Sequence, residues 1–185
     1  MLQRTGTRHR LGWLALLVLG VSLLAAACDG GRESFSDPRL QTFDDPSTLP
    51  EQQHLTPGTV FTAYTTIPPV SGPHDPFPLQ CGIYNREQPF ERALHAMEHG
   101  AIVIYYDPAA TPESVQAQVD EIGGDLLRDG RRIIVMPHAN IGSPIVLTAW
   151  ARKLALTTVE TATIRDFANA FENQAPERIA RALAC

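Results

Sequence analysis

Residues 95–108 read HAMEHGAIVIYYDP, and this stretch predicts a helix end that leads directly into a buried strand. The glycine at position 100 suits the end of a helix, because glycine adopts the left-handed conformation without steric cost. The next six residues are apolar throughout, which is typical of a buried strand, and an Asp-Pro pair ends it. We therefore expect a helix over residues 88–99 and a strand over residues 101–106.

Further helix and strand patterns follow this strand along the chain. Thr111 suits the N-cap of a helix that has proline at its first position, and this helix is expected to continue to about Leu127. A second strand is predicted at residues 132–136, and residues 145–156 form one long strand or two short ones. The strands at 101–106 and 132–136 are expected to be parallel and joined by a right-handed crossover.

The last part of the chain predicts two more helices. Thr157 and Glu160 have the spacing of a capping box, which indicates a helix to about Asn173, and Pro176 starts a short final helix. This order of elements predicts an α+β fold, in which helices pack on a small mixed sheet.

The segment between residues 54 and 90 combines apolar residues with many prolines. Val60–Ile67 can form one strand. The prolines that follow exclude helix and regular sheet, yet the aromatic residues and Ile83 make the segment too apolar for a linker. We expect a long, ordered, proline-rich loop that covers one helix, and such loops in compact domains are usually functional.

The predicted helix at 88–99 has two different faces. Phe90, Leu94 and Met97 fall on one side and form a core stripe, whereas His95 and His99 fall on the other. One interpretation is that the two histidines are solvated near a helix C-terminus, where positive charge is favourable. The alternative depends on the proline-rich loop, which would cover this outer face.

Outside residues 1–27 the chain has five histidines, and four of them lie between positions 54 and 99. Two histidines four residues apart on a helix form a clamp for a transition metal, and two loop histidines can complete a four-coordinate site. Copper or zinc suits imidazole ligands, with a slight preference for copper outside the cytoplasm. The predicted ligands are His54, His74, His95 and His99, with Glu98 beside them as ligand, as orienting group or as a solvated side chain. Met136 and His138 together are a weak candidate for a further ligand.

The same helix matches the H-x-x-E-H motif of inverted zinc peptidases, with His95, Glu98 and His99 at the fixed positions. In that motif the glutamate is the general base for a zinc-bound water. The domain is much smaller than such peptidases, so a metal-dependent hydrolase with Glu98 as base is the alternative to a metal binder. A third interpretation is a metal-free structural lipoprotein, in which the polar residues only hold the loop to the helix.

The N-terminus predicts export. Three arginines precede an unbroken apolar run that ends at residue 27, which is the pattern of a secretory signal peptide. The run ends in LLAAAC and resembles a bacterial lipobox, so Cys28 is the predicted lipidation site. The alternative is an uncleaved transmembrane anchor. Either way, the rest of the chain is expected outside the cytoplasm, anchored to the cell membrane.

Composition divides the exported part into two regions. Residues 28–52 are acidic, polar and interrupted by prolines, which is typical of a flexible tether. Residues 53–185 are expected to form a single globular metal-binding domain. Without residues 1–27, 12 basic residues face 20 acidic ones, for a net charge of −8. This charge argues against binding to nucleic acid or direct adhesion to anionic lipid, and the sequence identifies no protein partner.

Two cysteines remain after Cys28 is assigned to a lipid. In an oxidising compartment, Cys81 and Cys185 are expected to form a disulfide that ties the chain end to its middle. The alternative is that Cys81 acts as a thiol nucleophile beside a histidine.

Four stretches, IPPVSGPH, CGIYN, HAMEHGAIVIYYDP and IVLTAW, together resemble the bacterial domain-of-unknown-function family 3105 over about residues 52–185. The family pattern has a histidine, then Pro-Pro-x-Ser-Gly-Pro-His, Gly-x-Tyr, His-x-Leu-Glu-His-Gly, a strand and Thr-Ala-Trp. The resemblance implies that these residues are family positions: His54, His74, His95, Glu98, His99 and Gly100. Met97 stands where the family usually has leucine, in agreement with a core position. The family's activity is not established, so the resemblance implies a site and no reaction.

Overall fold

The computed structural model describes residues 35–43, 54–177 and 179. In chain order its elements are β1 (Gln41–Thr42), β2 (Gly82–Ile83), α1 (Phe90–Glu98), β3 (Ile102–Tyr106), α2 (Glu113–Arg128), β4 (Ile133–Pro137), β5 (Ile145–Ala149), β6 (Arg152–Leu156) and α3 (Thr161–Phe171). No helix within these ranges is long and apolar enough to cross a membrane.

The strands form one six-stranded mixed sheet in the order β1-β6-β5-β3-β4-β2. β3 and β4 are parallel, with Ile102 opposite Ile133, and α2 connects them, because parallel neighbours require a long crossover. β5 pairs antiparallel with both β3 and β6. The α+β prediction is confirmed, as is the parallel pairing of the two predicted strands.

Both faces of the sheet are covered, and β3 alternates between them. Its residues Ile102, Ile104 and Tyr106 pack with α2 and α3 in one core cluster. Val103 and Tyr105 point the other way and pack in a second cluster with α1. A strand that is buried on both sides has no polar position, which explains its uninterrupted apolar sequence.

The helix end predicted before β3 is present. Leu94 and Met97 are fully buried in the cluster between α1 and the sheet, and Phe90 packs against it. Gly100 has a φ of 91°, and its N–H donates to the Met97 carbonyl (2.8 Å). The left-handed glycine turns the chain out of the helix and into β3.

The predicted strand at Val60–Ile67 is wrong, since this stretch has no regular secondary structure. Its terminal apolar side chains bury little, and Val60 is 76% exposed. The segment is instead held by local contacts, such as the hydrogen bond from the Tyr64 hydroxyl to the Pro73 carbonyl (2.7 Å). The expectation that the prolines exclude regular sheet is also wrong at one point, because β2 pairs in parallel with β4.

Two predicted helix starts are displaced. α2 begins two residues after Thr111, whose hydroxyl donates to the Asp107 carbonyl rather than capping the helix. α3 begins after Glu160, and no side chain caps it. The capping box with Thr157 is absent, since Glu160 precedes the first helical residue and its carboxylate is paired with Arg39 (2.7 Å). The predicted helix from Pro176 lies mostly outside the described residues.

Residues 35–43 correct the prediction of a flexible tether for that stretch. β1 pairs antiparallel with β6, and the ring of Phe35 packs edge-on against Phe167 (centroids 5.7 Å apart) and Phe171 (5.5 Å). The domain therefore includes chain that composition alone assigned to a linker. The predicted signal peptide, Cys28 and the rest of the predicted tether lie outside the described residues.

Candidate metal centre

The proline-rich segment is hydrogen-bonded to the first turns of α1. The Leu79 N–H donates to the Arg92 carbonyl (2.9 Å), and the Phe61 N–H donates to the Glu91 carboxylate (2.7 Å). Asp75 bends the segment through its side chain, which accepts from the N–H groups of Gly58 (2.9 Å) and Phe77 (2.8 Å). These bonds fix the segment against the helix.

His74 and His95 are oriented in the same way by backbone carbonyls. His74 Nδ1 lies 2.8 Å from the Gly72 oxygen, and His95 Nδ1 lies 2.7 Å from the Asp75 oxygen. A carbonyl oxygen only accepts, so each Nδ1 carries a proton and each Nε2 is the atom that can bind a metal. An imidazole whose second nitrogen donates to a carbonyl is the usual form of a metal-binding histidine.

The Nε2 atoms of these rings face other possible ligands. His95 Nε2 lies 3.0 Å from His99 Nε2, because the two histidines are one helical turn apart. His74 Nε2 lies 3.1 Å from Glu98 Oε2. Two ligands of a tetrahedral ion with bonds of about 2.0–2.1 Å are roughly 3.4 Å apart, so both separations are near those that an ion requires.

Two overlapping groups of residues could hold a metal ion. The potential ligand atoms of His54, His74 and His95 lie within 4.8 Å of one another, and so do those of His95, Glu98 and His99. His95 belongs to both groups. All these residues except His54 are buried.

His54 is the exposed member of the first group. Its backbone forms an isolated parallel bridge with His74, and the Leu55 N–H donates to the His74 carbonyl (2.7 Å). Its ring stacks on that of His95, with centroids 4.9 Å apart and an interplanar angle of 21°. The backbone bridge thus places this histidine beside the buried ones.

His99 differs from the other two buried histidines. Its Nδ1 is buried and has no hydrogen-bond partner within the described part of the chain. Its Nε2 contacts both His95 and the carboxylate of Glu177 (3.1 Å). Glu177 is held nearby because its N–H donates to the Glu98 carbonyl (3.1 Å).

Burial and hydrogen bonding set the charges of the cluster. Burial lowers the pKa of His95 to about 4, so this ring is neutral at neutral pH. Burial also lowers the pKa of His99, against the opposing pull of Glu177 and Glu98. For His74, burial acts to lower the pKa, but the hydrogen bonds to Glu98 and Gly72 outweigh it and leave the pKa raised.

Glu98 remains a carboxylate in this environment. Burial acts to raise its pKa, but the hydrogen bond and charge of His74 leave the pKa lowered. The raised pKa of His74 and the lowered pKa of Glu98 favour a proton on His74 Nε2 that faces the Glu98 carboxylate, beside the neutral ring of His95. A metal ion would take the place of the proton on His74 Nε2, since a ligating imidazole must be deprotonated at that atom.

The structure brings together the five predicted site residues and leaves out the weak candidates. His138 stacks on Phe90 (centroids 4.0 Å apart) and belongs to neither group, while Met136 is buried in the core. The expectation of a further ligand there is wrong. Sequence reasoning missed Glu177, because no spacing rule connects it to α1. The predicted disulfide stays a prediction, because Cys185 lies outside the described residues.

Fold and site together define a small α+β domain with a buried histidine–carboxylate cluster that could hold a metal ion. The model of one family, described as a protein of unknown function (DUF3105), matches residues 54–182, and the chain belongs to this family. The match contains every residue of the cluster. Neither a curated protein nor a solved structure matches the chain.

Proposed function

We propose that this protein is a metal-binding domain held outside the cytoplasm at the cell membrane. It binds a zinc or copper ion through the histidine cluster with Glu98 beside it. Imidazole nitrogen suits both ions. The export and the anchoring rest on the N-terminal sequence, which predicts a signal peptide and lipidation at Cys28.

The observation that carries this proposal is the orientation of His74 and His95. Both rings donate from Nδ1 to a backbone carbonyl, which leaves Nε2 directed at another potential ligand. The 3.0 Å separation of the facing Nε2 atoms of His95 and His99 is also close to the separation of two ligands on one ion.

Glu98 fits the role of a ligand or orienting group better than that of a general base. Its carboxylate contacts His74 Nε2 directly, so it lies among the candidate ligands. A base in a hydrolase instead lies beside an open metal position that holds water. Metal binding is therefore proposed without a reaction.

The first test is metal analysis of protein purified without a histidine tag, followed by titration of the metal-free protein with Zn²⁺ and Cu²⁺. We expect tight binding of one of these ions at a defined stoichiometry. His95→Gln should weaken the binding of this ion by more than roughly 10- to 100-fold, which is the usual effect of losing a group that only hydrogen-bonds to a metal ligand. The control is His138→Gln, which removes a histidine outside the cluster and should change affinity less than about twofold.

A second variant separates binding from hydrolysis. Glu98→Gln should weaken metal affinity about 10- to 100-fold, with no hydrolytic activity to lose. Hydrolysis by the wild type that disappears in Glu98→Gln, while the metal stays bound, would refute the binder in favour of the hydrolase. If the wild type binds neither ion, the metal-free structural role is the interpretation that remains.

A further inference from the structure

The candidate site has a rigidly oriented part and a part that is not anchored. His74 is 0% exposed and His95 is 5% exposed, and a backbone carbonyl fixes each ring at Nδ1. His99 has no such anchor, since its Nδ1 has no partner within the described residues. The ring of His99 therefore depends on contacts at Nε2, which are made to His95 and Glu177.

Glu177 lies at the boundary between this site and solvent. Its side chain is 52% exposed, whereas that of His99 is 10% exposed. Its carboxylate oxygen lies 3.1 Å from His99 Nε2, a distance similar to that between His95 and His99. Resting on the proposed function, we infer that Glu177 is an additional metal ligand and the exchangeable one, so that the ion enters and leaves the site past Glu177.

The backbone around Glu177 is placed by a buried arginine. Arg132 donates from Nη1 to the His99 carbonyl (2.9 Å) and from Nη2 to the Ile179 carbonyl (3.0 Å). The Asn173 N–H donates to the Gly100 carbonyl (2.9 Å). These bonds hold the segment against the end of α1, so the Glu177 carboxylate is positioned at the site while its side chain stays accessible.

The chemistry of the ligands agrees with this division. A carboxylate oxygen is a harder donor than an imidazole nitrogen and is the less preferred ligand for copper or zinc. An incoming donor would therefore displace Glu177 first, while His95, Glu98 and His99 still hold the ion. This exchange replaces one metal–oxygen bond by a bond to the incoming donor and involves no redox change.

His54 is the other exposed member of the cluster, and it is constrained differently. Its backbone is bridged to that of His74, and its ring stacks on the buried ring of His95. Moving His54 away would disturb contacts with both oriented histidines. Within the part of the chain that the structure describes, the Glu177 side chain forms an ion pair with His99 alone, so Glu177 is the less costly ligand to release.

The test is the rate at which the full-length chain, loaded with Zn²⁺ in detergent, releases the ion to a chromogenic chelator. Glu177→Gln should accelerate release by about tenfold or more, the low end of what partners of a metal site contribute. Glu177→His should restore slow release, because imidazole can ligate where glutamine cannot. Glu121→Gln, an exposed glutamate on α2, is the matched control and should leave the rate unchanged within about twofold.

The outcomes separate this inference from the proposed function. If the wild type holds Zn²⁺ but Glu177→Gln releases it at the wild-type rate, the exchange role is refuted and metal binding stands. The same follows if His54→Gln accelerates release and Glu177→Gln does not. If the wild type holds no Zn²⁺, the proposed function fails at the earlier titration. The melting temperature of metal-free Glu177→Gln should match that of the wild type, which excludes unfolding as the cause of faster release.

Discussion

Replacing Gly100 by alanine should lower the free energy of unfolding by more than the usual penalty for an alanine in the left-handed conformation. An L-residue at a φ of 91° carries a penalty of about 1–2 kcal/mol. An added Cβ would also lie 2.7 Å from Asn173 Cα and 3.0 Å from Asn173 N, and these backbone atoms cannot rotate away. Overpacking of this kind costs typically 1–3 kcal/mol. We therefore expect Gly100→Ala to lower the free energy of unfolding by about 2–5 kcal/mol.

Gly142→Ala is the matched control for this measurement. Gly142 has a φ of 80°, and an added Cβ there would meet nothing within 4 Å, so only the conformational penalty applies. The free energies of unfolding in urea of the two metal-free variants should differ by about 1–3 kcal/mol. This difference measures the clash of the added Cβ with Asn173 alone. If the two variants lose the same free energy of unfolding within about 0.5 kcal/mol, the predicted clash with Asn173 is refuted. Differences of this size are the usual error when two independent sites are compared.

Three other measurements test the packing and the charges. Gly123→Ala should lower the free energy of unfolding by about 1–3 kcal/mol, since the added Cβ would overlap a Val135 methyl. Gly124→Ala should be neutral or stabilising by up to about 1 kcal/mol in the same urea assay, because its Cβ would meet the flexible end of Arg128 at 3.3 Å and an Ile83 methyl at an ordinary 3.7 Å. Phe35→Ala should lower the melting temperature, because two aromatic contacts are lost, and an unchanged value would support a flexible tether. The metal-free protein should lose stability as the pH falls from 6.5 to about 4. In this range His95 is protonated in the unfolded chain but stays neutral in the folded protein. Urea unfolding across this range should show a smaller loss of stability in His95→Gln.

Local sequence patterns predicted the regular elements best where burial and periodicity agreed. β3 was identifiable because both of its faces are buried, which leaves an uninterrupted apolar run. The glycine after α1 was identifiable because a left-handed turn there favours one residue type. Val60–Ile67 has the composition of a strand, but none of the strands in the described part of the chain pairs with it, and strand propensity depends on such packing.

Long-range pairing accounts for most of what the sequence did not predict. Residues 35–43 have the composition of a linker, yet β1 adds to the edge of the sheet at β6 and Arg39 pairs with Glu160. The capping box predicted for α3 is also absent, and the carboxylate expected to form it pairs with that distant arginine. Neither contact leaves a periodic signal in the chain, so only the folded structure can reveal it.

The histidine cluster was predictable in part because α1 is buried on two faces, the core face and the face that carries His95 and His99. The core stripe placed His95 and His99 on the opposite side of α1, and a solvated helix face would have left both exposed. They are 5% and 8% exposed, so something other than the sheet must cover them. The groups beside them are the loop histidines, which the sequence indicated, and Glu177, which it did not. Covering a polar face costs free energy unless its groups are satisfied, and the Nε2 atoms of His74 and His95 are satisfied by Glu98 and His99, which are themselves possible metal ligands. The burial of both histidines agrees with the proposed metal site, and the titration with Zn²⁺ and Cu²⁺ distinguishes that site from a polar contact between loop and helix.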